Sequence, residues 1–167
     1  MCRRLHETSR TGRCNAGRHC GRAGSGGMMQ DRIVGVDPGV HTGLAIWSRT
    51  DRKLVDVQTT TITAAMTMVK MMADFGSLHS VVFEDARLRT WFGAKGREAL
   101  QGAGSIRRDC SIWEEFLRGL EGVPFKPVSP QSKGAKLDAA QFAKLTGWTG
   151  RTSSHGRDAA MLVWGRT

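Results

Sequence analysis

Four side chains in this sequence have types and placements suited to metal-assisted chemistry. Asp37 ends a short apolar run, Ile33-Val34-Gly35-Val36. Glu84 ends another, Ser80-Val81-Val82-Phe83. His155 and Asp158 stand three apart near the C-terminal end, a spacing that puts both on one helix face, a turn apart. Acids at the ends of neighbouring strands would converge, and a helix start brought to the same edge would add the other two. Converging carboxylates repel unless a cation binds among them. Hard oxygen ligands select Mg²⁺ or Mn²⁺ over Zn²⁺. Two such ions about 4 Å apart activate a water and stabilise the leaving oxygen in phosphodiester hydrolysis. Each residue has a plainer reading alone. Asp37 before Pro38-Gly39 is a turn signal. Glu84 is a solvated strand end. His155-x-x-Asp158 is charge placement at a helix terminus. Only as a set do they point to chemistry.

The elements that must position them are legible as alternating patterns. Ile33–Val36 reads as a buried strand closed by the Asp37-Pro38-Gly39 turn. Gly43–Trp47 and Lys53–Thr60 read as two more, with connections short enough for an antiparallel meander. A helix over 62–75 carries Ile62, Met66, Val69 and Met72 or Ala73 on one face. Ser80–Phe83 is a strand that runs into Glu84-Asp85, and 86–96 a loop. A long helix follows over 97–120, then a strand Phe125–Val128 whose Pro127 suits a sheet edge. Helices over 135–146 and Ser154–Trp164 complete the chain. The order βββαβαβαα implies one mixed sheet covered by helices, with strands one and four as neighbours.

The formal net charge is +10. Residues 1–27 hold six arginines against Glu7, which leaves 19 basic and 14 acidic residues in the remainder, still a balance of +5. Basic proteins attract polyanions, DNA and RNA foremost. Residues 1–29 read as a disordered basic tail ahead of one domain over 30–167, because the tail is too poor in apolar residues to bury a core. Met28-Met29 close it, so it is either an extension upstream of a second start or an arm that touches DNA. Cys2, Cys14 and Cys20 lie there with His6 and His19, without the pair spacing of a zinc finger. Cys110 reads as a reduced thiol on a helix. The N-terminus has no apolar secretory segment, and no run nears the roughly 20 apolar residues of a membrane span. The expected compartment is the cytoplasm.

A resemblance sharpens this. Ile33–Trp47, IVGVDPGVHTGLAIW, resembles the first hairpin of RuvC-type Holliday junction resolvases of the RNase H-like superfamily, with its strand, Asp-Pro-Gly turn and following Thr-Gly. VVFED, Val81–Asp85, is similar to the family's fourth strand, which ends in a catalytic Glu. HGRDAAMLVWG, His155–Gly165, is similar to its last helix. The resemblance implies an RNase H-like α/β fold with a five-stranded mixed sheet, a three-strand antiparallel meander plus two parallel strands. It implies that Asp37, Glu84, His155 and Asp158 bind two Mg²⁺ ions, with Mn²⁺ substituting. Lys136 falls where the family carries a functional lysine at a helix start. A homodimer would nick opposed strands of a four-way junction, using the long helix with Ile112, Trp113 and Phe116. Plain core packing explains those apolar residues as well. Arg87, Arg89, Lys95, Lys133 and Lys136 are the expected phosphate contacts, joined by Arg97, Arg107, Arg108, Lys126 and Arg151. Trp91 and Phe92 are expected to stack on bases. The sequence departs from the family after Glu84. Ala86-Arg87-Leu88 stands where an aromatic wedge is usual, and Asp85 is an extra acid. Two alternatives stay open: a less selective nuclease of branched DNA or RNA–DNA hybrids, and a non-catalytic nucleic-acid-binding protein. A compact lone domain also suits a phage or other mobile element, whose compartment is the host cytoplasm.

Overall fold

The structure, a computed structural model, describes residues 30–89, 97–130 and 136–167. The tail expected at 1–29 lies outside the described residues, as do Trp91, Phe92, Lys95 and Lys133. Strands β1 (Arg32–Asp37), β2 (Thr42–Ser48) and β3 (Lys53–Thr60) form the expected meander. Helix α1 (Ile62–Asp74), β4 (Leu78–Glu84), a 3₁₀ turn (Ala86–Leu88), α2 (Arg97–Arg118), β5 (Phe125–Val128), α3 (Ala139–Thr146) and α4 (Ser154–Val163) follow. The sheet order is β3-β2-β1-β4-β5. β1 pairs antiparallel with β2 and parallel with β4, and β5 pairs parallel with β4. This is the five-stranded mixed sheet of the expected α/β fold. Pro127 sits on the edge strand, where its missing N–H breaks no ladder. Among the described residues no helix is long and apolar enough to cross a membrane.

Strand alternation sorts the side chains to two faces. Val34, Val36, Leu44, Val81 and Phe83 pack under α1 and α2, with Ala65, Val69, Trp113 and Leu117. Ile33, Ala45, Trp47 and Val82 pack under α4 and α3, with Ala159, Ala160, Val163 and Phe142. Asp37 follows Val36 and Glu84 follows Phe83, so both belong to the α4 face.

Helix α4 lies on the sheet at backbone contact. A Cβ on Gly35 would stand 2.2 Å from Ala159 O, and one on Gly43 2.0 Å from His155 O. Side chains on those two strand positions would lift the helix off. Gly43 is also the cross-strand partner of Asp37. The close approach therefore brings the first turn of α4 over the end of β1.

One boundary differs from expectation. α3 starts at Ala139, not 135. Asp138 has extended backbone, φ −71° and ψ 174°, and forms a capping box with Gln141. Its side chain accepts from Gln141 N at 2.8 Å and the Gln141 amide returns the bond at 3.1 Å. Lys136 is therefore in the segment that leads to the helix, not in its first turn.

At the opposite end of the sheet Asp31 fastens the β2–β3 turn to β1. It accepts from Ser48 Oγ at 2.7 Å and from Thr50 N at 2.6 Å. The bonds from Thr50 and Ser48 lower its pKa to about 2, below the ordinary 3.8. The folded value is the lower one, so the stabilisation is complete above 3.8 and lost as pH falls towards about 2. The urea midpoint should therefore drop across that window, and Asp31→Asn should flatten the drop.

Four acidic and imidazole groups at one sheet edge

Asp37 and Glu84 are the last residues of two adjacent parallel strands, one rung beyond the Val36–Phe83 pair. Asp37 is 8% exposed and Glu84 half-buried. The turn after Asp37 is closed by buried Thr42, whose Oγ1 donates to Gly39 O at 2.7 Å. Ser153 caps α4 by accepting from Gly156 N at 3.0 Å, and its hydroxyl also meets Thr59 Oγ1 of β3. The first turn of α4 is thus pinned to the sheet. His155 Nδ1 stands 3.0 Å from Asp37 Oδ2. Asp158, one turn further, is 8% exposed and accepts from Lys136 Nζ at 2.7 Å. The pKa of Lys136 is raised, first by that bond and also by attraction to Asp158, Asp37 and Glu84. One ammonium therefore sits in the field of all three acids. The structure brings together Asp37, Glu84, His155, Asp158 and Lys136.

Do these residues fit divalent ions? The donors are hard carboxylate oxygens with one imidazole, and a cation already lies among them. That chemistry suits Mg²⁺ or Mn²⁺. Among the described residues no three His, Cys, Asp or Glu groups close on one point at ligating distance. Asp37 faces His155 and Asp158 faces Lys136 instead. The donor set fits in kind, with the Lys136 ammonium on Asp158 and the His155 ring against Asp37.

Asp85 and Arg87 have other business. Asp85 is 3% exposed and accepts from Arg87 N at 2.9 Å, Nε at 2.8 Å and Nη2 at 2.6 Å. Arg87 Nη2 also reaches Glu114 of α2 at 2.5 Å. Burial pushes the Asp85 carboxyl up, but the side-chain and backbone bonds from Arg87 outweigh it, so its pKa lies below the ordinary value. The Arg87 pKa is raised, first by its bond to Asp85. Arg87, expected on phosphate, is committed to carboxylates inside the protein. Arg89, Arg107, Arg108, Lys126 and Arg151 are exposed. Trp113 is wholly buried in the core, while Ile112 is exposed on α2.

Sequence reasoning missed several supports. Gly35 and Gly43 were visible as glycines inside strands, a signal for close backbone approach. Arg157 donates Nε to Leu137 O at 3.0 Å and Nη1 to Thr152 O at 3.1 Å, which ties the Lys136 segment to α4. No local pattern marks such a long-range tether. Cys110 is a free, buried thiol whose Sγ lies 3.7 Å from Glu84 O; burial pushes its pKa up to about 11.

No protein-family model matches the chain, and no curated protein sequence matches it. Among solved structures, the crystal structure of the yeast mitochondrial Holliday junction resolvase is similar at 14% identity and a TM-score of 0.39, covering 84% of this chain and 79% of that one.

Removing Arg87 would leave the buried Asp85 carboxylate uncompensated. Arg87→Met should cost about 2 kcal/mol in urea unfolding, a buried-pair loss discounted for the partial exposure of the arginine. A pure phosphate contact would leave stability unchanged.

Proposed function

We propose that this chain is a divalent-metal-dependent nuclease that resolves four-way DNA junctions as a homodimer. The single observation that supports it is the meeting of Asp37, Glu84, His155 and Asp158 at one sheet edge with Lys136 among them. The basic charge of +10 favours a polyanionic substrate. The resemblance of the three sequence segments to RuvC-type resolvases favours branched DNA.

Asp37, Glu84, His155 and Asp158 would hold the Mg²⁺ ions. When bound, the ions would supply a nucleophilic water at neutral pH and charge stabilisation for the leaving 3′ oxygen. The protein's own groups supply the rest. Asp37 orients the His155 ring through Nδ1, which leaves the other ring nitrogen for a metal ion. Lys136 offsets charge on that phosphate. Exposed Arg89, Arg107, Arg108, Lys126 and Arg151 contact the backbone, adding affinity and salt sensitivity but no sequence preference. Exposed Ile106 and Ile112 support α2 as the face for self-association. The cytoplasm is the proposed compartment.

The test is digestion of a labelled mobile four-way junction, with and without Mg²⁺, beside a flap and an RNA–DNA hybrid. Paired nicks on opposed junction strands, only with the metal, are expected. Equal or faster cutting of the hybrid would move the substrate to RNA–DNA. Asp37→Asn should bind the junction in a gel shift and cut it below detection; full activity of that variant in Mg²⁺ would refute the assignment.

A further inference from the structure

We propose that Lys136 is a resident cation that a divalent metal must displace, because the ammonium and the metal compete for the same Asp158 carboxylate. The inference rests on the metal-dependent reading above and adds how the site is filled before metal arrives.

The geometry carries it. Lys136 Nζ is 2.7 Å from Asp158 Oδ2, a direct charge-assisted contact. Asp158 is nearly buried, so its oxygens face few other partners, while the Lys136 side chain is 76% exposed. The backbone beside Lys136 is fixed. Arg157, next to Asp158 on α4, bonds Leu137 O and Thr152 O. A long, flexible stem thus starts from an anchored point and ends in a point charge on the acid. It can swing to solvent without moving α4 or the sheet. Asp37 and Glu84 attract the same ammonium.

Two cations at one carboxylate repel each other, and an oxygen that faces an ammonium at hydrogen-bond distance is not presented to a metal. Metal loading therefore includes release of Lys136. Release places the lysine at the mouth of the site, where a phosphate would meet it. In the metal-free protein the same lysine relieves the mutual repulsion of the three acids. A lysine that acted on the substrate phosphate alone would have no such effect on metal affinity.

The experiment is a Mn²⁺ titration of the full chain, followed by the electron paramagnetic resonance signal of free Mn²⁺. Lys136→Met should bind Mn²⁺ roughly fivefold more tightly than the parent, the order of one partly exposed ion pair. Lys136→Arg keeps the charge and should stay within about twofold of the parent on the same scale. Asp158→Asn should lose the tight site whether or not Lys136 is present. Lys136→Gln serves as a second neutral variant should the methionine protein fold poorly. Equal or weaker Mn²⁺ affinity in the neutral variants overturns the competition while leaving the metal reading intact. Absence of Mn²⁺ binding in parent and variants alike sinks both.

Discussion

Negative charges gathered at one edge of a sheet must be compensated, and much of this protein is arranged around that demand. Asp37, Glu84 and Asp158 come from β1, β4 and α4, three elements with no sequence continuity. The Lys136 ammonium meets that repulsion at Asp158, and the His155 ring lies against Asp37. Neither partner is a neighbour in sequence of the acid it faces. The tertiary fold is therefore what supplies the compensation.

Bringing the groups together depends on backbone more than on side chains. Two glycines, one on each of the central antiparallel strands, let α4 press its carbonyls against the sheet. The helix is short, 10 residues, and its buried face includes the small residues Gly156, Ala159 and Ala160. Small residues on the helix and none on the facing strand positions give an approach that larger pairs would forbid. Polar anchoring at the cap then sets its rotation, through Ser153 and Thr59. Distance is fixed by sterics and orientation by hydrogen bonds. The result is that a residue at the start of the helix faces one at the end of a strand 118 positions earlier.

Element order and faces were readable in the sequence because the apolar periodicities are strong and the strands are short. The placement of Asp37 and Glu84 followed from the same periodicities: an acid directly after a buried strand residue must sit on the opposite face. Helix ends were less legible. Apolar spacing alone starts α3 at 135, because it says where a helix can bury a face, not where its backbone begins. Asp138 and Gln141, which settle that point, were present as a capping signal. The sequence alone makes Arg87 a candidate phosphate contact, since its partner Glu114 lies on a helix 27 residues away. Charge alone does not distinguish an arginine that awaits a phosphate from one already spent on buried acids.

Glu84 and Asp85 show how one step along a strand divides two jobs. Glu84 faces α4 with the other acids. Asp85 leaves the strand on the other side and is buried at the foot of α2, where Arg87 joins it to Glu114. Its N–H bonds Val128 O of β5 at 2.8 Å, so the end of β4 is held from the edge strand as well. Cys110 of α2 lies against the carbonyl of Glu84 itself. A charged strand end that carried Glu84 alone would be free to fray towards water. With its neighbour locked into an ion network and its carbonyl covered, the backbone of Glu84 is set by α2 and β5, while its side chain answers to β1 and α4. Asp85, through Arg87 and Glu114, helps hold the strand end that carries Glu84.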